Sequence, residues 1–305
     1  MSKKIILLAG PTASGKSKLA IYLAKKINGE IINADSMQVF KEIKILSARP
    51  ENYKKIKHHL YGFISVKKNF STGEWIKHTE KKINEILKKK KTPIIVGGTG
   101  LYFKSLIDGI AQIPNISKAK RDKIIKLFNQ IGIDEFYKKL IKLDPKCKNK
   151  IIKNDKQRMI RFYEVKFYTK KSIFDWQKNT KNNLKDINFK KIFLNFSREV
   201  LLVKIEKRFK KMVDQGAIKE AKKYKKLGVS KILTSNNILG LKEIMSHLDG
   251  KMTLKEAVER SIIRTRQYIK RQMTWFRGQM KDWNEFNDLQ QVNLRKKVLK
   301  FIRTP

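Results

Sequence analysis

Residues 10–17 have the composition and the spacing of a phosphate-binding loop. They read Gly-Pro-Thr-Ala-Ser-Gly-Lys-Ser, which matches G-x-x-x-x-G-K-[ST], and they lie between an apolar run and an amphipathic stretch. In such a loop, backbone N–H groups and a helix N-terminus surround a di- or triphosphate, while the lysine neutralises phosphoryl oxygens. We predict a phosphate site formed by Gly10, Pro11, Thr12, Ala13, Ser14, Gly15, Lys16 and Ser17, with the Ser17 hydroxyl as a Mg²⁺ ligand.

The chain lacks the acidic residue that an ATPase or GTPase places at the end of its later core strand. The apolar run 93–96 ends in Gly-Gly-Thr-Gly, not in a metal-holding aspartate. An aspartate, Asp35, instead follows an earlier apolar run. The carboxyl ends of strands in an open α/β sheet line the ligand crevice, so we expect Asp35, Thr99 and the phosphate-binding loop to converge. Taken alone, Asp35 could equally be a helix N-cap or turn residue.

The first hundred residues show the alternation of βα units around a parallel sheet. Short, undivided apolar runs predict strands over 5–9, 31–34 and 93–96, as in a sheet buried on both faces. Amphipathic stretches predict helices over 16–26 and 79–89. The predicted fold class is therefore α/β, with a P-loop NTPase-like parallel sheet core.

The character of the sequence changes after Gly109, where the chain becomes helical, lysine-rich and aromatic. We interpret this part as an inserted all-helical subdomain, with breaks at Asp144-Pro145 and Asn154-Asp155. A strand over 192–196 and a helix over 198–213 then return the chain to the core. The predicted division is a first part of the core at 1–114, an inserted helical subdomain at 115–190, and the remainder of the core at 191–305.

A long basic helix is predicted near the C-terminus. Thr253 and Glu256 have the spacing of a capping box at its start. Its apolar positions recur every three to four residues and should face the core: Val258, Ile262, Thr265, Ile269, Met273 and Phe276. Two basic ridges lie on its other faces, Arg260 with Arg264 and Arg271, and Arg266 with Lys270 and Arg277. A solvated helix surface is the alternative interpretation of these ridges.

The charge balance favours a polyanionic partner. The 305 residues include 72 basic and 27 acidic side chains, a formal net charge of +45. Most of the basic residues are lysines, and a compositional bias accounts for part of the excess. The sparse arginines carry more information, since a guanidinium fork suits phosphates and base edges. They concentrate in 158–161 and 264–277.

Composition also excludes other classes. With 41% apolar residues the chain can bury an ordinary core, and its apolar runs are too short to span a membrane. The one cysteine, Cys147, cannot form an internal disulfide. The four histidines form no zinc-like cluster, and we interpret the adjacent His58 and His59 as structural. We expect a cytoplasmic protein with no targeting or membrane segment.

Several blocks, in order along the chain, resemble the tRNA dimethylallyltransferase family, also called tRNA isopentenyltransferases. The blocks are GPTASGKS, NADSMQVF, His58-His59-Leu60, Thr72-Gly73-Glu74-Trp75, VGGTGLYFKSL, Asn154 to Arg158, Asn237 to Gly240, and Arg266 to Trp275. The likeness covers nearly the whole chain. It implies transfer of a dimethylallyl group from dimethylallyl diphosphate to the exocyclic N6 of the adenosine immediately 3′ of the anticodon in tRNA, with release of pyrophosphate.

The resemblance also implies roles for individual residues. Asp35 would take the proton from the adenine amine, and Thr99 would donate or accept a hydrogen bond at the reacting centre. Implied contacts to tRNA are Asp35, Ser36, Met37, Gln38, Thr99, Arg121, Gln157, Arg158, Met159, Ile160, Arg161, Arg266, Lys270 and Arg271. The implied ligands are Mg²⁺, dimethylallyl diphosphate and the tRNA anticodon stem-loop, bound by a monomer without a membrane partner.

Two departures from the family pattern and three other functions stay open. Asn237 and Leu241 stand where many relatives carry Arg or Gln and Tyr, so a tRNA contact there is in doubt. An adenylate isopentenyltransferase is disfavoured by the insertion and the long basic helix. A small-molecule kinase is disfavoured by the missing aspartate and the arginine clusters. A pure RNA-binding protein has no use for Asp35, Thr99 and an intact phosphate-binding loop.

Overall fold

The computed structural model describes residues 4–50, 56–184 and 187–304. The chain divides into two compact units, a larger one comprising Met1–Leu106 and Leu184–Pro305 and a smaller one comprising Ile107–Asn183. The smaller unit thus begins and ends some residues before the predicted insertion over 115–190. Among the described residues, no helix is both long and apolar enough to cross a bilayer.

Helices and strands alternate in the first part of the chain, and helices predominate from α4 onward. The strands are β1 (Lys4–Ala9), β2 (Gly29–Asn33), β3 (His58–His59), β4 (Thr92–Gly97), β5 (Ile110–Ala111), β6 (Thr180–Lys181), β7 (Asn188–Leu194) and β8 (Asn284–Phe286). The helices are α1 (Lys16–Lys26), α2 (Thr72–Lys88), α3 (Gly100–Asp108), α4 (Lys118–Leu143), α5 (Lys156–Thr169), α6 (Ile173–Lys178), α7 (Arg198–Asp214), α8 (Ala217–Lys226), α9 (Leu241–Leu248), α10 (Leu254–Gln279) and α11 (Gln291–Arg303).

The larger unit is built on a parallel sheet with the strand order β3-β2-β4-β1-β7-β8. Every described pair of neighbours in it runs parallel. The central strands β1, β2 and β4 are buried almost throughout, because helices cover both faces of the sheet. Leu19 of α1, Leu201 of α7 and Val298 of α11 pack on Ile6 of β1 in one apolar cluster. This confirms the predicted P-loop NTPase-like α/β core.

A second apolar cluster joins the segment after β2 to helices α7, α8 and α9. Phe40 and Ile43 pack there with Phe209, and Leu241 is buried in the same cluster. The Glu220 carboxylate of α8 accepts hydrogen bonds from the backbone N–H groups of residues 44, 45 and 46 at 2.6, 2.8 and 2.9 Å. These bonds fix the irregular segment around residues 44–46, which also forms one wall of a cavity.

Two elements begin four or more residues before their predicted starts. Helix α2 begins at Thr72, seven residues before the predicted helix over 79–89, because Ser71 and Glu74 form a capping box. Strand β7 begins at Asn188, not at 192. Three of its first four residues are polar, Phe189 being the exception, and pairing with the whole of β1, from Lys4 to Ala9, makes them a strand. That pairing is a sheet interaction which the local pattern does not show.

Helix α10 follows the prediction. Thr253 and Glu256 form the capping box, with each side chain accepting from the other residue's backbone N–H. Of its predicted core face, Thr265, Ile269 and Phe276 are buried. The remaining three positions are half-buried against the two clusters of the larger unit.

The smaller unit is helical apart from a two-residue antiparallel ribbon formed by β5 and β6. Its core packs Phe128, Phe136 and Leu140 of α4 against Met159 and Tyr163 of α5. Helix α4 is interrupted at Gly132, whose backbone has φ 75° and ψ 177°. The predicted breaks are confirmed, because α4 ends before Asp144 and Asp155 caps the N-terminus of α5.

The glycine that ends β4 is required by the sheet. A Cβ at Gly97 would lie 1.9 Å from the Ala34 carbonyl oxygen, whereas a Cβ at Gly278 of α10 would meet no atom within 4 Å. Gly97→Ala should lower the free energy of unfolding by about 3 kcal/mol, the upper part of the range for overpacking. Gly278→Ala, the control, should raise it by about 0.5–1 kcal/mol, the gain for Gly→Ala within a helix. Urea denaturation of both variants measures this, and equal midpoints would contradict the proposed clash.

Candidate active site

The phosphate-binding loop has the geometry of an anion cradle. Between β1 and α1, Ala13 and Gly15 have φ angles of 67° and 84°, so the backbone turns its N–H groups toward one side. The loop is closed by a hydrogen bond of 3.2 Å from Ser14 N–H to the Pro11 carbonyl. The Ser14 side chain is fully buried, and its Oγ has no hydrogen-bond partner among the described residues. An unpaired hydroxyl donor in this position fits a phosphoryl oxygen.

Lys16 supplies the cation of the loop. Its ammonium donates to the Pro11 carbonyl at 3.1 Å. Burial lowers the Lys16 pKa to about 8; the Asp35 carboxylate opposes this shift, and the Arg208 guanidinium adds to it. Because burial disfavours the charged form of Lys16, a bound anion stabilises this ammonium more than it would stabilise an exposed lysine.

Asp35 and Thr99 lie at the carboxyl ends of neighbouring strands, β2 and β4. The Thr99 N–H donates to the Ala34 carbonyl at 3.2 Å, and its Oγ1 accepts from the Ser36 N–H at 3.0 Å. One oxygen of Asp35 accepts from the Met37 N–H at 2.9 Å, while its other oxygen receives no hydrogen bond from the described residues. The loops after β2 and β4 are therefore joined, and one carboxylate oxygen is left for a substrate.

Gln272 of α10 connects the phosphate-binding loop to the glycine-rich loop after β4. Its Oε1 accepts from the Thr12 N–H at 3.1 Å, and its Nε2 donates to the Gly98 carbonyl at 2.8 Å. The side chain is 6% exposed. A Cβ at Gly98 would lie 2.4 Å from that Nε2, and a Cβ at Gly100 would lie 2.1 Å from the Trp275 ring. The glycines are thus required by the close approach of α10.

A cavity of about 520 Å³ opens beside these groups. Thr12, Asp35 and Arg208 line its polar part. Its apolar part is formed by side chains from three segments of the larger unit: Leu46, Ile205, Phe209, Met212 and Ile238. The phosphate-binding loop, a carboxylate and an apolar wall therefore face one space.

Sequence reasoning missed Gln272 and Arg208. Arg208 lies on α7 and lines the cavity; burial lowers its pKa, and the Asp35 carboxylate opposes the shift. The signal for Gln272 was its position on the apolar face of α10, between Ile269 and Phe276. The signal for Arg208 was the presence of an arginine in an amphipathic helix whose other basic residues are mostly lysines. This signal alone does not show whether the arginine faces a cavity or solvent.

The predicted RNA-contacting residues of the larger unit fall into two groups. Ser36, Met37 and Arg271 line the cavity. Gln38 instead donates from Nε2 to the Ser47 and Ala48 carbonyls at 3.1 and 3.0 Å, which braces the cavity wall. Outside the cavity, Lys270 is exposed and Arg266 pairs with Glu206 at 2.6 Å. The structure thus brings together the loop, Asp35, Ser36, Met37, Thr99 and Arg271.

In the smaller unit, α5 presents Gln157 and Arg158 to solvent. Arg161 and Arg121 both pair with the buried Glu164, at 3.3 and 3.6 Å.

Two of the predicted RNA contacts need correction. Met159 is fully buried and Ile160 is 6% exposed, since both pack in the core between α4 and α5. Their side chains stabilise the unit and are not available to RNA. The five consecutive residues 157–161 span both faces of an amphipathic helix. One face is exposed to solvent, and the other, with Met159 and Ile160, is buried in the core of the unit.

Other sequence expectations can be placed as well. Leu241 is fully buried in an apolar cluster, whereas Asn237 lines the cavity. The His59 Nε2–H donates to the buried Glu30 carboxylate at 2.8 Å, and the His58 Nδ1–H donates to the Ile56 carbonyl at 3.0 Å. Among the described residues, no group of three or more His, Cys, Asp or Glu side chains is arranged to hold a metal. The structural interpretation of the two histidines agrees with these contacts.

Comparison with known proteins assigns the chain to a family. The sequence profile of IPP transferase matches residues 38–279. The chain belongs to the IPP transferase family. It is 50% identical over 299 residues to a tRNA dimethylallyltransferase of Pelagibacter ubique, covering 97% of this chain and 96% of that protein. It is 49% identical to a tRNA dimethylallyltransferase of Rickettsia massiliae, covering 92% of this chain and 78% of that protein.

Solved structures of this family have the same fold. The tRNA delta(2)-isopentenylpyrophosphate transferase of Staphylococcus epidermidis superposes with a TM-score of 0.69 at 31% identity, covering 98% of both chains. A eukaryotic dimethylallyltransferase acting on tRNA superposes with a TM-score of 0.81 at 29% identity, covering 98% of this chain and 78% of that one. The family resemblance seen in the sequence blocks is confirmed.

Replacing Gln272 tests whether its amide positions the phosphate-binding loop. Gln272→Met keeps the volume but leaves the Thr12 N–H and the Gly98 carbonyl unpaired, which should lower stability by about 1–3 kcal/mol. The loosened loop should also bind inorganic pyrophosphate more weakly, as measured by calorimetry. Gln279→Met, at the exposed end of the same helix, is the matched control and should change neither quantity. Unchanged pyrophosphate affinity in Gln272→Met would remove the positioning role.

Proposed function

We propose that this chain transfers a dimethylallyl group from dimethylallyl diphosphate to N6 of the adenosine immediately 3′ of the anticodon in tRNA. The observation that carries the proposal is the shared cavity. A phosphate-binding loop and a carboxylate with one oxygen free of protein hydrogen bonds face it together, while β4 ends in glycines without a hydrolytic aspartate. Relatives named as tRNA dimethylallyltransferases, similar over nearly the whole chain, support the same conclusion.

The reaction needs stabilisation of a leaving group and removal of a proton. The bond between the donor's C1 and its diphosphate oxygen breaks, the bond between C1 and adenine N6 forms, and the N6 proton passes to Asp35. The bond electrons leave with pyrophosphate. Lys16, Arg208 and the loop N–H groups stabilise that growing negative charge, a preorganised electrostatic contribution that commonly dominates catalysis.

The residues of the loop fit a Mg²⁺ ion bound together with the diphosphate. The Ser17 hydroxyl at the start of α1 is the protein ligand that the motif offers, and Mg²⁺ often takes few protein ligands alongside substrate phosphates and water. That no acidic cluster is found within the described part of the chain is compatible with this mode of binding. When bound, the ion would neutralise charge on the diphosphate.

Asp35 is held in the orientation that a general base requires. The Met37 N–H fixes one carboxylate oxygen, and the Thr99 side chain fixes the adjoining backbone at Ser36. An adenine amine is a weak nucleophile, because its lone pair is delocalised into the ring, and loss of its proton as the new bond forms removes this obstacle. The target base has to leave its stack to reach Asp35, which costs a few kcal/mol and needs compensating contacts.

The cavity also offers an apolar place for the prenyl group. Phe209 and Met212 of α7 line it together with Ile238 and belong to one apolar cluster. A dimethylallyl group has no polar atoms, so an apolar wall beside the diphosphate site binds it and keeps water from the reacting carbon. The acceptor base would then approach from the side of Asp35, Ser36 and Arg271.

Replacing the proposed base tests its role directly. Asp35→Asn should lower turnover by about 10²–10⁴-fold, the range for loss of a general base, with little change in tRNA affinity. Turnover is measured as the dimethylallyl mass gain on adenosine from unmodified tRNA incubated with dimethylallyl diphosphate and Mg²⁺. Asp214→Asn, exposed at the end of α7 and outside the cavity, is the control. Near-normal turnover of Asp35→Asn would exclude Asp35 as the base, and transfer to AMP but not to tRNA would reassign the acceptor.

The lowered Lys16 pKa predicts that kcat/KM for dimethylallyl diphosphate depends on pH. The ammonium is present below about pH 8 and is lost above it, so kcat/KM for dimethylallyl diphosphate should fall as the pH rises through this region. This ratio reports ionisations of the free enzyme. Lys16→Arg keeps its charge throughout and should remove the inflection, at a lower overall rate. If the Lys16→Arg profile still shows an inflection at the same pH, the titration belongs to another group.

A further inference from the structure

A buried carboxylate lies between two arginines in the smaller unit. Glu164 of α5 is 1% exposed, and each of its oxygens lies beside one guanidinium group. Its Oε1 accepts from Arg161 Nη1 at 3.3 Å, one turn back on the same helix. Its Oε2 lies 3.6 Å from Arg121 Nε, near the start of α4. Within the described residues, neither arginine has another ion-pair partner.

Each arginine keeps part of its guanidinium for a ligand. The Arg121 and Arg161 side chains are 46% and 34% exposed, although the carboxylate between them is not. Arg121 meets Glu164 through Nε and Arg161 through Nη1, so the other N–H groups of both forks have no partner in the described part of the chain. Arg161 also lies about one helical turn from the exposed Gln157 and Arg158. The two forks thus belong to a cationic surface of this unit.

The two guanidinium groups repel each other, and Glu164 offsets that repulsion. Burial lowers the Arg161 pKa; the Glu164 carboxylate opposes this shift, and the Arg121 guanidinium adds to it. A buried ion pair contributes little net stability, since the cost of desolvation cancels most of the Coulomb attraction. The main effect of the carboxylate is therefore on the position of two long side chains, which would otherwise lose rotamer freedom when a ligand binds.

We infer that Glu164 is a positioning residue for RNA, which holds Arg121 and Arg161 side by side with their free N–H groups toward the RNA backbone. The inference rests on the proposed function, in which tRNA is the acceptor. Two guanidinium groups and one carboxylate leave a positive charge in excess, and a guanidinium fork binds phosphate oxygens bidentately. Because both forks are ordered before RNA arrives, less side-chain entropy is lost on binding.

Removing the Glu164 charge has opposite effects under positioning and under bulk electrostatics. Glu164→Gln makes the protein more positive, which by itself tightens binding of a polyanion. We expect it instead to weaken binding of an unmodified anticodon stem-loop RNA about tenfold, because two side chains must then be ordered on binding. Fluorescence anisotropy measures this affinity. The matched control, Glu135→Gln, removes an exposed carboxylate that pairs with Lys138 of the same helix at 2.7 Å, and it should leave affinity unchanged or slightly higher.

Two further measurements separate positioning from a purely structural role. In a protein that already carries Arg121→Gln and Arg161→Gln, Glu164→Gln should weaken RNA binding no further, because no arginine is left to position. In transfer assays, Glu164→Gln should raise KM for the RNA about tenfold and leave kcat nearly unchanged. Partial unfolding would lower kcat and leave KM as it is, and that result would overturn the inference.

The wild-type protein gives a readout that does not depend on the folding of Glu164→Gln. Nitrogen relaxation NMR of arginine Nε–H groups, recorded without RNA, reports how ordered each side chain is. Arg121 and Arg161 should have higher order parameters than Arg260, an exposed arginine of α10 for which the described residues supply no ion pair. Equal mobility of the three side chains would contradict the positioning role.

The remaining outcomes distinguish the inference from the function on which it rests. The first is that Glu164→Gln binds RNA as tightly as the wild type, or weakens binding equally without the two arginines, while the wild type transfers the dimethylallyl group. Glu164 then does not act through Arg121 and Arg161, and the proposed function stands. The second is that the wild type transfers nothing, but Glu164→Gln weakens RNA binding only when both arginines are present. The positioning role then stands, and the proposed activity is wrong.

Discussion

The side-chain amide of Gln272 holds together the two loops between which the proposed chemistry takes place. The phosphate-binding loop follows β1 and the loop that carries Thr99 follows β4, and sheet pairing ends before either loop begins. Gln272 accepts from the first loop and donates to the second in a buried setting, where an unmade hydrogen bond is expensive. The distance between the diphosphate site and the groups around Asp35 therefore depends on where α10 lies. The glycines at 98 and 100 follow from the same contact, since no side chain fits beneath the helix.

Charge in the cavity is organised around one available carboxylate. Of the acidic side chains that line the cavity within the described chain, Glu243 is paired with Arg264, while Asp35 has one oxygen free of protein hydrogen bonds. Lys16 and Arg208 are both influenced by Asp35 and both hold their charge against burial. In the proposed reaction, two cations for the leaving group and one base for the acceptor would thus come from three separate segments. The excess of lysine elsewhere in the chain has no part in this arrangement, although it favours the approach of RNA.

The irregular segment after β2 shows how much of the site depends on contacts between distant residues. The Glu220 carboxylate ties down residues 44–46, and Gln38 binds the two carbonyls that follow them. Gln38 thereby has a structural task in addition to any contact with RNA. The cavity wall is consequently held by contacts within the protein, and a wall ordered in this way lowers the entropic cost of recognition.

Some features of this protein can be predicted from the sequence alone, because they depend on neighbouring residues. The phosphate-binding loop, helix α1, the capping box of α10 and the breaks around Asp144 and Asp155 are local patterns, and each appears in the structure. The central strands could be recognised because burial on both faces makes them uniformly apolar. The ordered blocks were sufficient for the family, which the comparisons confirm.

Only the tertiary structure decided the remaining features, which depend on residues far apart in the chain. The start of β7 is set by its partner β1. The start of α2, in contrast, follows from a local capping box of Ser71 and Glu74 that the sequence prediction overlooked. Arg208 became a site residue because α7 brings it to the cavity, and Gln272 because α10 brings it to the loops after β1 and β4. The Met159 side chain is turned inward by α5 and packs in the core of the smaller unit. Periodicity shows which residues share a helix face, but not what that face meets. That depends on how helices pack, and a single local pattern carries no record of it.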